Sequence, residues 1–172
     1  MKYLIAFVVV WFLAVLQSSA FTYVKVLGIT PDLLLIFAAS WAVVRGQEEA
    51  FVVVPMAGLL HDLTTSDPLG TSVLGLAPIV LLAAAARLRS VETEFLPALG
   101  VAAAGSLAYW MISMTVLTAT GDGVPWGQGI LRVLIPAVIV NSLFTPIVYL
   151  PVHWLSPHPT GLRGAGRLTS PY

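Results

Sequence analysis

The sequence has 172 residues, of which 58% are hydrophobic and 9% are charged, and its mean hydropathy is +0.94. Soluble domains carry about 25% charged residues, so this composition predicts an integral membrane protein. Eight basic residues balance eight acidic ones and cysteine is absent, which excludes a basic nucleic-acid-binding surface, disulfides and thiolate chemistry. Each crossing takes about 20 residues, so the length allows about eight spans at most.

The first hydrophobic segment, residues 3–24, is uncharged and long enough to cross a hydrocarbon core of about 30 Å as one helix. Lys2, the apolar run that ends at Leu16 and the small residues after it also resemble a secretory signal with a cleavage site. Because the apolar run is at the upper end of the length of a signal, we favour a retained span.

Two apolar runs follow, at residues 33–44 and 50–60, and each is too short to cross the membrane alone. They cross only if the second helix begins near Val26 and includes Asp32, and if the third helix runs on to about residue 69. The end of the third helix then carries three ionisable residues: His61, Asp62 and Asp67.

A re-entrant hairpin is the alternative for these two runs. It would bury Arg45, Glu48 and Glu49 at its tip in mid-membrane, at a cost of roughly 2.5 to 3.5 kcal/mol for each central charge. Two true spans place the same three charges in water, so we favour the two spans.

Three further uncharged stretches lie at residues 69–86, 95–121 and 133–155. With them, the predicted fold class is an all-α integral membrane protein, a bundle of six transmembrane helices. Residues 1–157 form a single transmembrane domain in this interpretation. Residues 158–172 are expected to be a short, disordered cytoplasmic tail.

The distribution of lysine and arginine predicts the orientation of the bundle. With six spans, one side of the membrane holds most of the basic residues, namely Lys2, Arg45, Arg87, Arg89, Arg163 and Arg167. The other side holds Lys25 and Arg132. Because basic residues accumulate in cytoplasmic loops, both termini are predicted to be cytoplasmic.

Ionisable residues inside a membrane are functional candidates, which directs attention to Asp32, His61, Asp62 and Asp67. Asp62 lies about 18 Å along a helix from Ala50, short of the far surface, so we expect it to be buried. It could serve a proton relay, a cation site or a contact with a partner helix. The structural alternative, which we favour, is a carboxylate that hydrogen-bonds a neighbouring broken helix end, where Pro68 and Gly70 force non-helical backbone.

Enzymatic activity is not expected from this sequence. The His61-Asp62 dipeptide also occurs in metal-dependent phosphohydrolases, but the other histidines, His153 and His158, are predicted at the opposite end of the bundle. There is no Gly-x-Ser-x-Gly elbow, no pattern that places a histidine near both a serine and a carboxylate, and no Gly-rich phosphate loop. We therefore expect no catalytic residues, no metal and no cofactor.

Small residues in the fifth span predict close helix packing. They recur at four-residue spacing, as Ala98/Ala102 and as Gly100/Ala104/Ala108, with Gly105 beside them. Packing within the bundle is the favoured interpretation, and an intermolecular face is the alternative. Asn141 in the sixth span is expected to hydrogen-bond across helices.

The motifs of this chain resemble those of a known family. In chain order they are Pro31-Asp32-Leu33-Leu34-Leu35-Ile36, Arg45-Gly46, Gly58-Leu59-Leu60-His61-Asp62-Leu63 and Pro68-Leu69-Gly70, with Asn141 and Pro146 in the last span. Their order and spacing over about residues 1–155 resemble the rod shape-determining MreD family. This chain departs from the family pattern at His61, where an apolar residue is more usual, and at Thr65-Ser66-Asp67, in place of a Gly-containing turn.

The resemblance implies a non-enzymatic, multi-pass subunit of the bacterial elongation machinery in the inner (cytoplasmic) membrane. Such proteins bind MreC directly, and share a complex with RodA, the class B penicillin-binding protein of elongation and MreB. The expected partner-binding or structural residues are Pro31, Asp32, Gly58, Asp62, Pro68, Gly70 and Asn141. The two short spans, bent around Pro31 and Pro68, are expected to form a groove open to a partner's single transmembrane helix.

The family is also similar in fold to the six-helix S-components of energy-coupling-factor transporters, which makes a vitamin-binding S-component the alternative function. A vitamin site needs a pocket with convergent polar groups and aromatic walls. The candidates on the outer side are mainly acidic, namely Asp32, Asp62, Asp67, Asp122 and Trp126. They favour the scaffold.

Overall fold

The computed structural model describes residues 2–65, 68–88, 95–121 and 125–155. Within them the chain is helical, as predicted. The six helices of these ranges are α1 (Lys2–Ser19), α2 (Leu33–Arg45), α3 (Gln47–Thr64), α4 (Thr71–Arg87), α5 (Phe95–Ala119) and α6 (Trp126–Trp154). A short 3-10 turn, Phe21–Tyr23, follows α1. Predictions about Asp67, Arg89, Asp122 and the tail after residue 155 lie outside the described residues.

Helix α2 lies at the centre of the bundle and packs against each of the other five helices. All residues from Leu33 to Val44 are buried, as expected of a helix that is apolar all round. The outer helices α1 and α6 instead expose large apolar side chains, including Leu4, Phe12, Leu143 and Ile147. Exposed apolar surface of this extent is typical of a protein that contacts lipid.

Two of the helices, α5 and α6, are long and apolar enough to cross a membrane. Helices α1, α2 and α4 are apolar but shorter. Two helices contain an irregular turn: α4 is interrupted at Ala77, directly before Pro78, and α6 contains a π-helical segment, Ile130–Leu134, shortly before Pro136. Proline disrupts the backbone hydrogen bonds of the preceding turn, which accounts for the position of both irregularities.

The sequence predicts that the second helix begins near Val26, and this is wrong. In the structure the helix begins at Leu33. Val26 and Ile29 instead close a tight turn through two backbone hydrogen bonds, and the turn positions Leu27 and Gly28 both have positive φ. Because Pro31 disfavours helical backbone at the residue before it, the helix cannot extend back through this segment. Helix α2, with 13 residues, is therefore only about 20 Å long.

The third helix is also shorter than predicted. It ends at Thr64 rather than near residue 69, because Thr65 adopts an extended conformation. The connection to α4 includes Pro68, which lacks a backbone N–H, and Gly70, whose φ of +96° lies in the left-handed region. Both short helices thus have one end inside the bundle, next to the start of α4.

The connection between α2 and α3 is a single residue, Gly46, with a φ of +99°. Arg87 packs closely over it, and its Nη2 donates to the Val43 carbonyl oxygen at 2.6 Å. The sequence predicts that Arg45, Glu48 and Glu49, the three charges near this turn, lie in water. This is wrong for Glu49, because its side chain is buried and the residue is only 8% exposed. Its Oε2 lies 4.0 Å from Nε of Arg45, and this opposite charge offsets the cost of its burial.

Candidate functional site

Asp32 caps the buried start of α2. Its Oδ1 accepts a hydrogen bond from the Leu35 backbone N–H at 3.0 Å, and its own backbone N–H donates to Oδ1 of Asn141 at 2.9 Å. Oε1 of Gln17, near the end of α1, accepts from the backbone N–H of Leu33 at 2.9 Å. The first amides of any helix lack intrahelical partners. Here they are satisfied by side chains from two other parts of the bundle.

Asp62 likewise caps the start of α4. Its Oδ2 accepts from the Gly70 backbone N–H at 2.7 Å and its Oδ1 from the Ser72 backbone N–H at 2.8 Å. Asp62 is only 3% exposed, so these two amides take the place of water as hydrogen-bond donors to its carboxylate. The structure therefore places Asp62 against a neighbouring helix end, the arrangement in which a carboxylate also gains from the positive end of the helix dipole.

Gly58 explains how α3 and α4 come close enough for this contact. A Cβ atom at Gly58 would lie 2.7 Å from Cα of Val73, in the first turn of α4. No side chain fits in that space, so the close approach of the two helix backbones requires glycine. Gly58 thus positions Asp62, one helical turn further along α3, beside the amides that it caps.

His61 links the two capped helix starts. Its Nε2 lies 3.3 Å from Oδ2 of Asp32, and its Nδ1 lies 2.9 Å from Oγ of Ser72. The Ser72 hydroxyl lies 3.2 Å from the Tyr109 hydroxyl, and the His61 and Tyr109 rings meet edge to face at 5.7 Å. We call the series Asp32, His61, Ser72 and Tyr109 the polar chain. It connects α2, α3, α4 and α5.

Asn141 joins the sixth helix to the same region. While its Oδ1 accepts from Asp32, its Nδ2 donates to Oγ of Ser106 at 2.9 Å. The Ser106 hydroxyl donates to the Ala102 carbonyl oxygen within α5 at 2.8 Å. Ser106 lies near the middle of α5 and Asn141 near the middle of α6, so the cluster sits at mid-length of the two longest helices.

The polar chain corrects one expectation. Sequence patterns placed no histidine near both a serine and a carboxylate, yet Asp32, His61 and Ser72 lie in the order of a hydrolase triad. The contacts arise from the packing of three separate helices, which no local pattern encodes. Ser72 is fully buried and His61 is 5% exposed, so the serine hydroxyl is out of reach of a substrate. Within the described residues, no three His, Asp or Glu side chains are grouped as metal ligands would be.

Most of the predicted site residues meet around the two capped helix starts. Asp32, Asp62, Gly70 and Asn141 take part in the hydrogen bonds described above, and Pro31 is buried directly before Asp32. Pro68 lies exposed in the turn before α4. Sequence reasoning missed the polar partners Gln17, Ser72, Ser106 and Tyr109. Their signal was that each is a polar group in an otherwise apolar segment.

The small residues of α5 divide between two faces. Ala98, Ala102 and Gly105 are buried in the bundle, and a Cβ atom at Gly105 would lie 2.9 Å from Cγ1 of Ile79 in α4. Gly100 lies on the open face, where an added Cβ would meet nothing within 4 Å. Packing within the bundle therefore uses one of the two ridges.

Residues 1–156 match the family model of the rod shape-determining protein MreD. The chain belongs to the MreD family. No significant match to a curated protein or to a solved structure was found. The family gives the chain a role in rod shape determination at a membrane, as a structural protein. This agrees with the presence of two helices, α5 and α6, that are long and apolar enough to cross a membrane.

Proposed function

We propose that this member of the MreD family is a non-enzymatic scaffold subunit of the bacterial cell-elongation machinery, which binds MreC and helps to organise lateral peptidoglycan synthesis. The match to the MreD family over residues 1–156 is the observation that carries this proposal. The polar chain supports it, because its side chains bond to one another and to the start of α2. RodA, the class B penicillin-binding protein and MreB are then further members of the same complex.

The proposal includes six transmembrane spans in the inner membrane, with both termini in the cytoplasm. Two contacts support a common side for the basic residues: Arg87 donates to the end of α2, and Nη2 of Arg45 lies 3.4 Å from the carbonyl oxygen of Leu155, just after α6. Helix α2 is too short to span the hydrocarbon core alone. Its polar ends are satisfied by protein groups, which is the condition for a helix end at membrane depth.

The topology can be tested with single cysteines, because the chain has none of its own. Glu48, in the first turn of α3, and Thr120, after α5, are both exposed. In intact cells, a membrane-impermeant maleimide should label Thr120→Cys but not Glu48→Cys, and both should react after permeabilisation. The reverse pattern would overturn the orientation, and labelling of both positions in intact cells would overturn the span count between them.

The scaffold function is tested by purifying the tagged protein from native membranes in mild detergent. We expect MreC to be recovered with it, and expect an unrelated tagged membrane protein at matched expression to recover none. Recovery of a vitamin or of an ATP-driven transporter, without MreC, would overturn the scaffold in favour of the S-component function. Rod shape in cells that lack the protein would contradict its role in elongation.

A further inference from the structure

An apolar groove runs along the outside of α2, between α1 and α6. Its walls include Leu13 and Leu16 of α1 and Val148 of α6, and its floor is formed by Phe37 and Trp41 of α2. Helix α1 packs on α2 and α3 but makes little contact with α6, which leaves the groove open on the lipid side. Its volume is about 210 Å³, and its lining residues are all apolar.

The dimensions of this groove distinguish between possible occupants. Along α2 it extends from Leu33 to Trp41, which is about 12 Å at 1.5 Å per residue. This is close to half of a hydrocarbon core of about 30 Å, the depth of one leaflet. A transmembrane helix is about 10 Å wide and crosses both leaflets, whereas an acyl chain is narrow and ends within one. The groove therefore fits an acyl chain.

The groove has a cation at one end. The guanidinium carbon of Arg45 lies 5.1 Å from the centre of the Trp41 ring, and its Nη2 lies 3.4 Å from the carbonyl oxygen of Leu155, another lining residue. Among the described residues, Nε of Arg45 and Nε1 of Trp41 are buried without a hydrogen-bond acceptor. Glu49 is the counter-charge, at 4.0 Å from Nε. The Arg45 side chain is 19% exposed, so a lipid phosphate at this end of the groove can reach its guanidinium group.

We propose that the groove between α1, α2 and α6 binds one anionic phospholipid of the leaflet on the Arg45 side. An acyl chain lies along Phe37 and Trp41, and the phosphate lies at Arg45. This site goes beyond the scaffold function and does not depend on it. It also does not depend on which leaflet is cytoplasmic, because the argument uses only the end of the bundle at which Arg45 lies.

Native mass spectrometry of the full-length protein can test the site, after reconstitution with equal amounts of phosphatidylglycerol and phosphatidylcholine. We expect one retained phospholipid, with phosphatidylglycerol preferred by at most about fivefold, the full effect of one arginine near an anionic headgroup, because Glu49 offsets part of the Arg45 charge. Val148→Phe fills the groove and should lower retention of both lipids. Leu143→Phe, on the exposed face of the same helix, is the matched control and should leave retention unchanged.

The charge at the mouth is tested separately. Arg45→Gln should abolish the preference for phosphatidylglycerol while leaving an acyl chain bound, and Arg45→Lys should keep part of the preference. Arg132→Gln, an exposed arginine in α6 outside the groove, is the control for a general loss of positive charge. Equal retention by wild type and Val148→Phe would overturn the site.

Cross-linking identifies other occupants of the groove. A photoreactive phenylalanine analogue at Leu13 should capture phospholipid in native membranes. Capture of a second copy of this chain, of its own C-terminal residues or of another protein would overturn the lipid assignment.

Discussion

Replacement of Asp62 by leucine should destabilise the fold, because it removes the carboxylate that accepts from the Gly70 and Ser72 amides at 2.7 and 2.8 Å. The buried Ser72 amide and the part-buried Gly70 amide would then face an apolar side chain. A hydrogen bond to a charged acceptor contributes about 1.5 to 3 kcal/mol in water, and polar contacts measured in membrane proteins contribute about 1 kcal/mol. We therefore expect Asp62→Leu to lower the free energy of unfolding by about 2 to 4 kcal/mol.

Unfolding of the purified protein in mixed micelles, titrated with SDS and followed by circular dichroism, measures this loss. Asp62→Asn keeps one acceptor oxygen, so it should lose about half as much. Leu63→Ala is a matched control at the next position, where the side chain is 66% exposed, and it should have little effect. An unchanged midpoint for Asp62→Leu would refute the capping argument. A loss of MreC recovery at unchanged stability would show instead that Asp62 contacts the partner.

Two further substitutions test the packing around the same region. Gly58→Ala should lower the free energy of unfolding by about 1 to 3 kcal/mol, because the new Cβ would lie 2.7 Å from Cα of Val73. The control Gly100→Ala, in open space, should be neutral or stabilising. Equal midpoints of the two variants in the SDS titration would contradict this prediction. Asn141→Leu should lower the free energy of unfolding by about 1 to 2 kcal/mol in the same titration, because it removes the hydrogen bonds to the Asp32 amide and to the Ser106 hydroxyl. A midpoint equal to that of wild type would contradict this prediction.

The sequence was sufficient to predict helices and to single out Asp32, Asp62 and Asn141 as polar residues in apolar segments, but not to predict the ends of the short helices. The apolar run at residues 33–44 is short, and it predicts a helix extended back to Val26 only if each helix must cross the membrane by itself. Instead, α2 is surrounded by other helices along its whole length. The Pro31-Asp32 pair is a local signal for a helix start at Leu33, since aspartate is a preferred N-cap residue.

The contacts of His61 could not be predicted from the sequence. Its position next to Asp62 places it on α3, but its partners Asp32 and Ser72 come from α2 and α4. Which residues of three helices meet depends on their crossing geometry, to which the close approach at Gly58 contributes. Local patterns identify polar residues in apolar segments, whereas their pairing is a property of the packed bundle.

Short helices and buried carboxylates are two aspects of one arrangement. A helix that ends inside the bundle leaves unpaired amides where water cannot reach them, so a neighbouring side chain must accept from them. Asp32 and Asp62 meet this requirement for α2 and α4. Because these motif residues are engaged inside the protein, we expect the surface for the proposed partner among the exposed side chains of the outer helices. Substitutions there, at positions such as Leu143, separate loss of binding from loss of folding, which substitutions at the two aspartates do not.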